Sequence, residues 1–140
     1  MPLQCWLTAH EAEKGCVKRP MAPSTDCRHR PAGARVLVVL GTRPEAVKLA
    51  PVIRALRALP QLTTTVCVSA QHRQMLDQVL ATFDIVPQYD LDVMQPRQSL
   101  ELLTARVLEG VSQVIEAEKP DVVLVQGDTT TAFAGSLAAF

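Results

Sequence analysis

Three side chains of this sequence have the types and positions that phosphate and proton chemistry needs. Arg43 and Lys48 follow the apolar run RVLVVLG, and Asp128 follows the apolar run DVVLVQG. An arginine presents a planar fork of N–H donors that suits phosphate oxygens, and a lysine adds a point charge. A carboxylate at the end of a strand could contact a ligand or take a proton from it. Together these residues are consistent with a site for a phosphate-bearing ligand.

Each of these residues also has a plain structural interpretation. Arg43 and Lys48 could be solvated charges on a surface helix. Asp128 could be the N-cap of the helix that follows it, because Asp is among the best N-cap residues. Glu45 is better explained by a capping box with Thr42, since the two residues have the S/T-x-x-E spacing. Residue types and spacing alone leave the structural and the functional interpretations open.

The elements that would position these residues alternate between strands and helices. Continuous β-branched runs before Gly41 and before Gln126 are typical of strands buried on both faces. The capping box predicts that a helix begins at Arg43, and Pro51 should kink or loosen that helix. The alternation predicts an α/β fold with a doubly wound parallel sheet. The other predicted elements are the strand Thr63–Ser69, the helix Gln71–Phe83, one short strand within residues 85–99, the helix Ser99–Lys119, the strand Asp121–Val125 and a last helix.

The helical spacing of apolar residues predicts which helix faces contact the sheet. In a sheet of this kind, ligands bind beyond the carboxyl ends of the strands. The loops Gly41–Glu45, Ser69–His72 and Gln126–Thr129 are predicted to lie there. The residues predicted to face the core are Leu49, Ile53 and Leu56 in the first helix, Met75, Leu76, Val79 and Leu80 in the second, and Leu100, Leu103, Val107, Val111 and Val114 in the third.

A second polar set occurs in two separate segments. Gln71, His72 and Gln74 lie at the start of the second predicted helix, and Arg97 and Gln98 precede the third. A lone histidine is more often a structural hydrogen-bonding residue than a catalyst. Nothing in the spacing brings the two segments together.

The composition excludes several classes of protein. The chain has 140 residues, 48% of them hydrophobic, and a net charge of zero, which fits one folded domain without a basic footprint for nucleic acid. No apolar run reaches the roughly 18 residues of a membrane span. The four cysteines form no CxxC pair, so neither a zinc site nor a redox motif is predicted. Residues 1–34 are rich in proline, basic and small polar residues, which predicts a disordered N-terminal extension.

Four segments of the chain closely resemble the non-hydrolysing bacterial UDP-N-acetylglucosamine 2-epimerases. They are GTRPEAVKLAP, SAQHRQMLDQVL, DLDVMQPRQSL and KPDVVLVQGDTTTAFAGSLAAF, and the resemblance runs over residues 35–140. It implies a GT-B-type architecture, in which two Rossmann-like domains enclose the active site. Residues 35–140 would then be a truncated first domain, and the second, nucleotide-binding domain would be absent from this chain.

The resemblance also implies a reaction, which makes the parent protein an isomerase. The family interconverts UDP-GlcNAc and UDP-ManNAc by eliminating and re-adding UDP with inversion at C2, without a metal or other cofactor. Arg43 and Lys48 match positions that bind the substrate near its diphosphate, and Asp128 matches a carboxylate that binds substrate and takes part in catalysis. Gln71, His72, Gln74, Arg97 and Gln98 match an allosteric site that some members have for a second UDP-GlcNAc.

Further expectations follow from the same resemblance. The parent enzyme would be a cytoplasmic homodimer in cell-surface polysaccharide synthesis, with no nucleic-acid or membrane partner. Gln126 departs from the histidine of many members. The family's second catalytic carboxylate would lie beyond Phe140, so the 140-residue chain alone is expected to be inactive. The alternatives are another GT-B nucleotide-sugar enzyme, either a glycosyltransferase or a hydrolysing epimerase, and a non-catalytic nucleotide-sugar-binding module.

Overall fold

The computed structural model describes residues 33–71 and 73–140. The predicted N-terminal extension lies outside the described residues as far as residue 32, and Ala34 is already part of the first strand. Strands and helices alternate along the described chain, as the sequence pattern predicts. The elements are β1 (Ala34–Leu40), α1 (Arg43–Arg57), β2 (Leu62–Val68), α2 (Arg73–Thr82), β3 (Tyr89–Asp90), α3 (Leu100–Glu118), β4 (Val122–Leu124) and α4 (Thr130–Ala139).

The strands form one parallel sheet in the order β3-β2-β1-β4. Along β1, Val36, Val38 and Leu40 pack on one face of the sheet with residues of α1 and α2. Leu37 and Val39 pack on the other face with residues of α3 and α4. Successive side chains of β1 point to opposite faces of the sheet and pack into two separate cores. Every position from 36 to 40 is apolar for this reason. The predicted doubly wound α/β fold is confirmed.

The first helix begins where the sequence predicts. Thr42 is its N-cap and Glu45 completes the capping box. Pro51 does not end the helix, which continues to Arg57. A proline removes one backbone donor, and the packing of Leu49 and Ile53 on the sheet is sufficient to keep the following turn helical.

Two residues predicted to face the core are exposed instead. Met75 is 49% exposed and Leu100 is 64% exposed. In α2 the buried stripe consists of Leu76 and Leu80, with Val79 at its border, so Met75 falls outside it. Leu100 is the first residue of α3, and the buried stripe of that helix begins one turn later at Leu103. The remaining residues in those predictions are buried or packed against the core.

Candidate functional site

The direction of the strand order reverses between β1 and β4. From β1 the chain passes to β2 and then β3 on one side, whereas β4 lies on the other side. The helix after β1 packs on one face of the sheet, and the helix after β4 packs on the opposite face. In doubly wound sheets, ligands bind beyond the carboxyl ends of the strands at such a switch point. The loops Gly41–Glu45 and Gln126–Thr129 lie on either side of the switch point.

The two predicted phosphate-binding cations both lie on α1. Arg43 is the first residue of the helix, where free N–H groups and the helix dipole favour an anion. Arg43 and Lys48 are exposed, and neither has an ion pair or hydrogen bond with another described residue. Five helical residues separate them by about 7.5 Å along the axis and about 140° around it. They are therefore suited to different parts of an extended ligand rather than to a single phosphate.

Asp128 lies on the facing loop and is not the N-cap of α4. The N-cap is Thr129, whose hydroxyl accepts a hydrogen bond from the Ala132 backbone N–H at 3.2 Å. Gly127, which precedes Asp128, has a φ of 93°, in the left-handed region that favours glycine. The carboxylate of Asp128 is exposed and has no hydrogen bond or ion pair with another described residue. The structural interpretation of Asp128 as a helix cap is thus wrong.

Glu45 connects the two loops. Its side chain is buried, and one carboxylate oxygen accepts the backbone N–H groups of Gly41 at 2.6 Å and Thr42 at 3.0 Å. The other oxygen accepts the hydroxyl hydrogen of Thr129. The capping box was predicted from the spacing, but the contact with Thr129 was not. The two partners are 84 positions apart, so no local sequence signal indicates it.

A third loop joins the same edge of the sheet. The hydroxyls of Ser69 and Thr131 are 2.7 Å apart, and the Thr131 hydroxyl donates to the side-chain oxygen of Gln71 at 3.1 Å. The backbone N–H of Gln71 donates to the carbonyl of Gly41 at 3.1 Å. Gly41 is glycine for a steric reason, since a Cβ there would lie 2.2 Å from the Thr131 hydroxyl oxygen. The loops after β1, β2 and β4 are therefore held in one layer.

The first part of the predicted allosteric set lies on this third loop. The side chain of Gln71 is half-buried and is engaged by Thr131. Gln74 is exposed on α2, and His72 lies outside the described residues. Gln74 is thus available to a ligand, whereas Gln71 also helps to hold the loop layer together.

The second part of that set lies in the segment before α3. This segment follows the sheet edge, because the Val93 backbone N–H donates to the carbonyl of Ser69 at 3.1 Å. Arg97 is exposed with a φ of 59°, and the side-chain oxygen of Gln98 accepts from Arg106 at 2.9 Å. Between the described members of the two parts, no hydrogen bond is present. The allosteric role stays a prediction.

Neither a metal site nor a membrane span is found in residues 33–71 and 73–140. No group of three or more His, Cys, Asp or Glu side chains in those ranges is placed to hold a metal ion. None of the helices described there is both long and apolar enough to cross a bilayer.

Cys67 is buried in the core between the sheet and α3. Burial raises the pKa of its thiol to about 12, and the charge of Asp90 adds to the increase. The thiolate is the reactive form of cysteine. Cys67 is therefore a packing residue and not a nucleophile.

Native Cys67 is expected to resist alkylation. In a chain with Cys5, Cys16 and Cys27 changed to serine, its reaction with iodoacetamide at pH 8 should be at least about 1,000-fold slower than in urea, because the raised pKa lowers the thiolate fraction by that factor. Mass spectrometry of timed samples measures the rate. Equal rates in the native and the unfolded chain would contradict the burial of this thiol.

The fold defines the class of this chain. A doubly wound parallel sheet with helices on both faces is the architecture of Rossmann-like α/β domains. A family model described as UDP-N-acetylglucosamine 2-epimerase matches residues 54–140, which is more than half of the chain. The chain belongs to the UDP-N-acetylglucosamine 2-epimerase family, as the resemblance implied.

Individual relatives agree with the family assignment. The chain is 59% identical over 106 residues to the UDP-N-acetylglucosamine 2-epimerase of Salmonella typhimurium (strain LT2), covering 76% of this chain and 28% of that protein. The Escherichia coli (strain K12) protein of the same name matches with the same identity and coverage. The chain thus spans 28% of the length of these curated relatives.

Solved structures show the same fold. The UDP-GlcNAc 2-epimerase of Neisseria meningitidis, bound to UDP-GlcNAc, superposes with a TM-score of 0.73 at 56% identity and covers 76% of this chain and 29% of that one. The Methanocaldococcus jannaschii enzyme, in complex with UDP-GlcNAc and UDP, gives a TM-score of 0.70 at 34% identity, with 75% and 29% covered. The predicted Rossmann-like fold is confirmed.

Proposed function

We propose that this chain forms the N-terminal portion of an enzyme that interconverts UDP-GlcNAc and UDP-ManNAc. The observation that carries the proposal is the 59% identity to the Escherichia coli epimerase over 106 residues, which is 76% of this chain. In this proposal residues 35–140 belong to the first of two Rossmann-like domains of a GT-B-type enzyme, and the substrate lies between the domains.

Arg43 and Lys48 bind the diphosphate side of the substrate in this proposal. The N-terminus of α1 and the Arg43 guanidinium present N–H donors to phosphate oxygens, and Lys48 lies further along the helix, where it suits another part of the same ligand. UDP carries a growing negative charge as its bond to C1 of the sugar breaks. Cations already in place at the start of that step stabilise the charge without reorganisation.

Asp128 acts at C2 of the sugar. Its carboxylate takes the C2 proton as the C1–O bond breaks, which releases UDP and leaves an unsaturated sugar, 2-acetamidoglucal. UDP then adds back to C1 while a proton reaches C2 on the opposite face. The exposed carboxylate of Asp128, without a partner among the described residues, is free to approach a bound ligand. Delivery of the proton on the other face is assigned to a second carboxylate outside residues 35–140.

The proposed enzyme is also regulated by a second substrate molecule and assembles as a homodimer. A second UDP-GlcNAc binds near Gln71, His72, Gln74, Arg97 and Gln98 as an activator, and the enzyme works in the cytoplasm as a homodimer. The exposure of Gln74 and Arg97 supports the activating site. Hyperbolic turnover of UDP-ManNAc by the whole enzyme without added UDP-GlcNAc would argue against it.

A chimeric enzyme tests the function directly. Residues 35–140 of this chain would replace the matching residues of the Escherichia coli epimerase. We expect the chimera to form UDP-ManNAc from UDP-GlcNAc in heavy water, with deuterium at C2, measured by proton NMR. Arg43→Ala should lower kcat/KM by about 10- to 100-fold, because a hydrogen bond to a charged group contributes about 1.5–3 kcal/mol.

Arg54→Ala is the matched control for Arg43→Ala. Arg54 is an exposed arginine in the last turn of the same helix, at the opposite end from the Gly41–Glu45 loop, so its loss should leave kcat/KM unchanged. A folded chimera that forms no UDP-ManNAc and incorporates no deuterium would contradict the proposal. Release of free ManNAc and UDP would instead indicate a hydrolysing epimerase.

A further inference from the structure

Glu45 is a buried carboxylate that the proposed chemistry does not use. It is 2% exposed, and carboxylates are rarely buried to this extent unless their charge is compensated. No ion pair with another described residue compensates it. Its partners are three hydrogen-bond donors, the N–H groups of Gly41 and Thr42 and the hydroxyl of Thr129.

Capping of α1 explains the hydrogen bonds of only one of the two carboxylate oxygens of Glu45. In a capping box the carboxylate at the third helical position accepts the N–H of the N-cap residue. One oxygen of Glu45 does this for Thr42 and also accepts the N–H of Gly41. The second oxygen does not cap α1, since it accepts the hydroxyl hydrogen of Thr129 in the loop after β4. That oxygen therefore serves the loop after β4.

Thr129 connects Glu45 to the first turn of α4. While it donates to Glu45, its hydroxyl oxygen accepts the backbone N–H of Ala132 as the N-cap of α4. An unbroken series of hydrogen bonds thus joins the first turn of α1 to the first turn of α4. These helices lie on opposite faces of the sheet, so the series crosses the switch point.

Asp128 directly precedes Thr129, whose hydroxyl is hydrogen-bonded to Glu45. Asp128 itself has no hydrogen bond or ion pair with a described residue. The position of its backbone relative to α1 is therefore restrained through the hydrogen bond between Thr129 and Glu45.

We propose that Glu45 is a positioning residue: its buried carboxylate holds the Gly127–Thr129 loop against the Gly41–Thr42 turn and so fixes Asp128 relative to Arg43. The inference rests on the proposed function, in which Asp128 takes the C2 proton and Arg43 binds the diphosphate. A displacement of about 1 Å at a reacting group lowers a rate by about 100-fold, so such a restraint affects turnover.

The first experiment uses the 140-residue chain and needs no activity. Hydrogen exchange of backbone amides, measured by NMR, is compared for Glu45→Ala and Thr129→Val. Glu45→Ala should speed exchange at Ala132 and shift the amide resonance of Asp128. Thr129→Val should speed exchange at Gly41 and Thr42, whose N–H groups donate to Glu45. Thr129→Val is included because it leaves the capping box of α1 intact if Glu45→Ala fails to fold. Thr129→Ser, which keeps the hydroxyl, should behave as the unsubstituted chain.

Glu118→Ala is the matched control. Glu118 is also a carboxylate that bridges two hydroxyls, accepting from Tyr89 at 2.7 Å and Thr65 at 3.3 Å. It lies at the end of α3, away from the carboxyl ends of the strands. Its loss should reduce stability without changing exchange at Ala132 or the resonance of Asp128.

The second experiment measures turnover in the chimera. Glu45→Ala and Thr129→Val should lower kcat by about 10- to 100-fold. KM should not rise, because Glu45→Ala removes a negative charge from the end of α1 where the diphosphate binds and Thr129→Val alters neither cation. Thr129→Ser should retain kcat, and so should Glu118→Ala, even where its melting temperature falls as far as that of Glu45→Ala.

The outcomes separate this inference from the proposed function. If the unsubstituted chimera is folded and inactive, the proposed function fails, and the exchange data still decide whether Glu45 restrains the loop. If the chimera is active but Glu45→Ala and Glu118→Ala lower kcat equally, Glu45 is only structural. Unchanged exchange at Ala132 together with an unchanged Asp128 resonance in Glu45→Ala would overturn the restraint itself, and so would unchanged exchange at Gly41 and Thr42 in Thr129→Val.

Discussion

Asp128→Asn in the chimera is expected to lower kcat by about 10²- to 10⁴-fold, the range over which a positioned general base contributes. Asparagine has nearly the same shape as aspartate, but it is not a base. The substitution should leave the fold intact, because the side chain is exposed and Thr129 rather than Asp128 caps α4. UDP-GlcNAc should still bind, since Arg43 and Lys48 are unchanged.

Two readouts measure this effect independently. Proton NMR in heavy water follows both the formation of UDP-ManNAc and the uptake of deuterium at C2, and both should fall together if Asp128 handles the C2 proton. Asp84→Asn is a charge-matched control at an exposed residue in the turn after α2, and it should leave both rates unchanged. Deuterium uptake at the unsubstituted rate in Asp128→Asn would assign the C2 proton to another group.

Gly41→Ala should lower the free energy of unfolding by about 3 kcal/mol, the upper part of the usual range for overpacking in a filled site. The new Cβ would lie 2.2 Å from the Thr131 hydroxyl oxygen and 2.3 Å from that of Ser69. Both side chains are fully buried and hydrogen-bonded to each other, so neither can move without loss of that bond. Urea denaturation of the 140-residue chain measures the change.

The same substitution at Gly110 provides the control. There the new Cβ would lie 2.9 Å from the Leu91 Cδ1 atom, the far end of a flexible side chain that can turn away. Gly110 also lies inside α3, where alanine is favoured over glycine by about 1 kcal/mol. Gly110→Ala should therefore be neutral or stabilising. Equal urea midpoints for Gly41→Ala and the unsubstituted chain would contradict the close contact at Gly41.

The sequence alone was sufficient for the class of fold. Five consecutive apolar residues in β1 can be buried only if both faces of the sheet are covered, and the helical spacing of Leu49 and Ile53 or of Leu103 and Val107 shows what covers them. These signals are local, because they depend on periodicity within one element. For the same reason the start of α1 at Arg43 was predicted from the capping box.

The exposure of Met75 and Leu100 could not be read from periodicity. A helical stripe defines the direction of the buried face but not its width, which depends on how far the neighbouring element extends. Leu100 fits the period of α3 and yet precedes the first turn that contacts the sheet. The limits of a buried face are therefore a tertiary property.

Part of the candidate site could likewise be predicted from the sequence, and part is known only from the tertiary structure. Residue types made Arg43, Lys48 and Asp128 candidates, and the family resemblance predicted their roles, since both signals can be read along the sequence. Only the tertiary structure showed that Thr129 is the cap of α4 and that Glu45 contacts it across 84 positions of sequence. Strand order decides which loops meet, and strand order arises from the packing of the whole sheet, which no local pattern encodes.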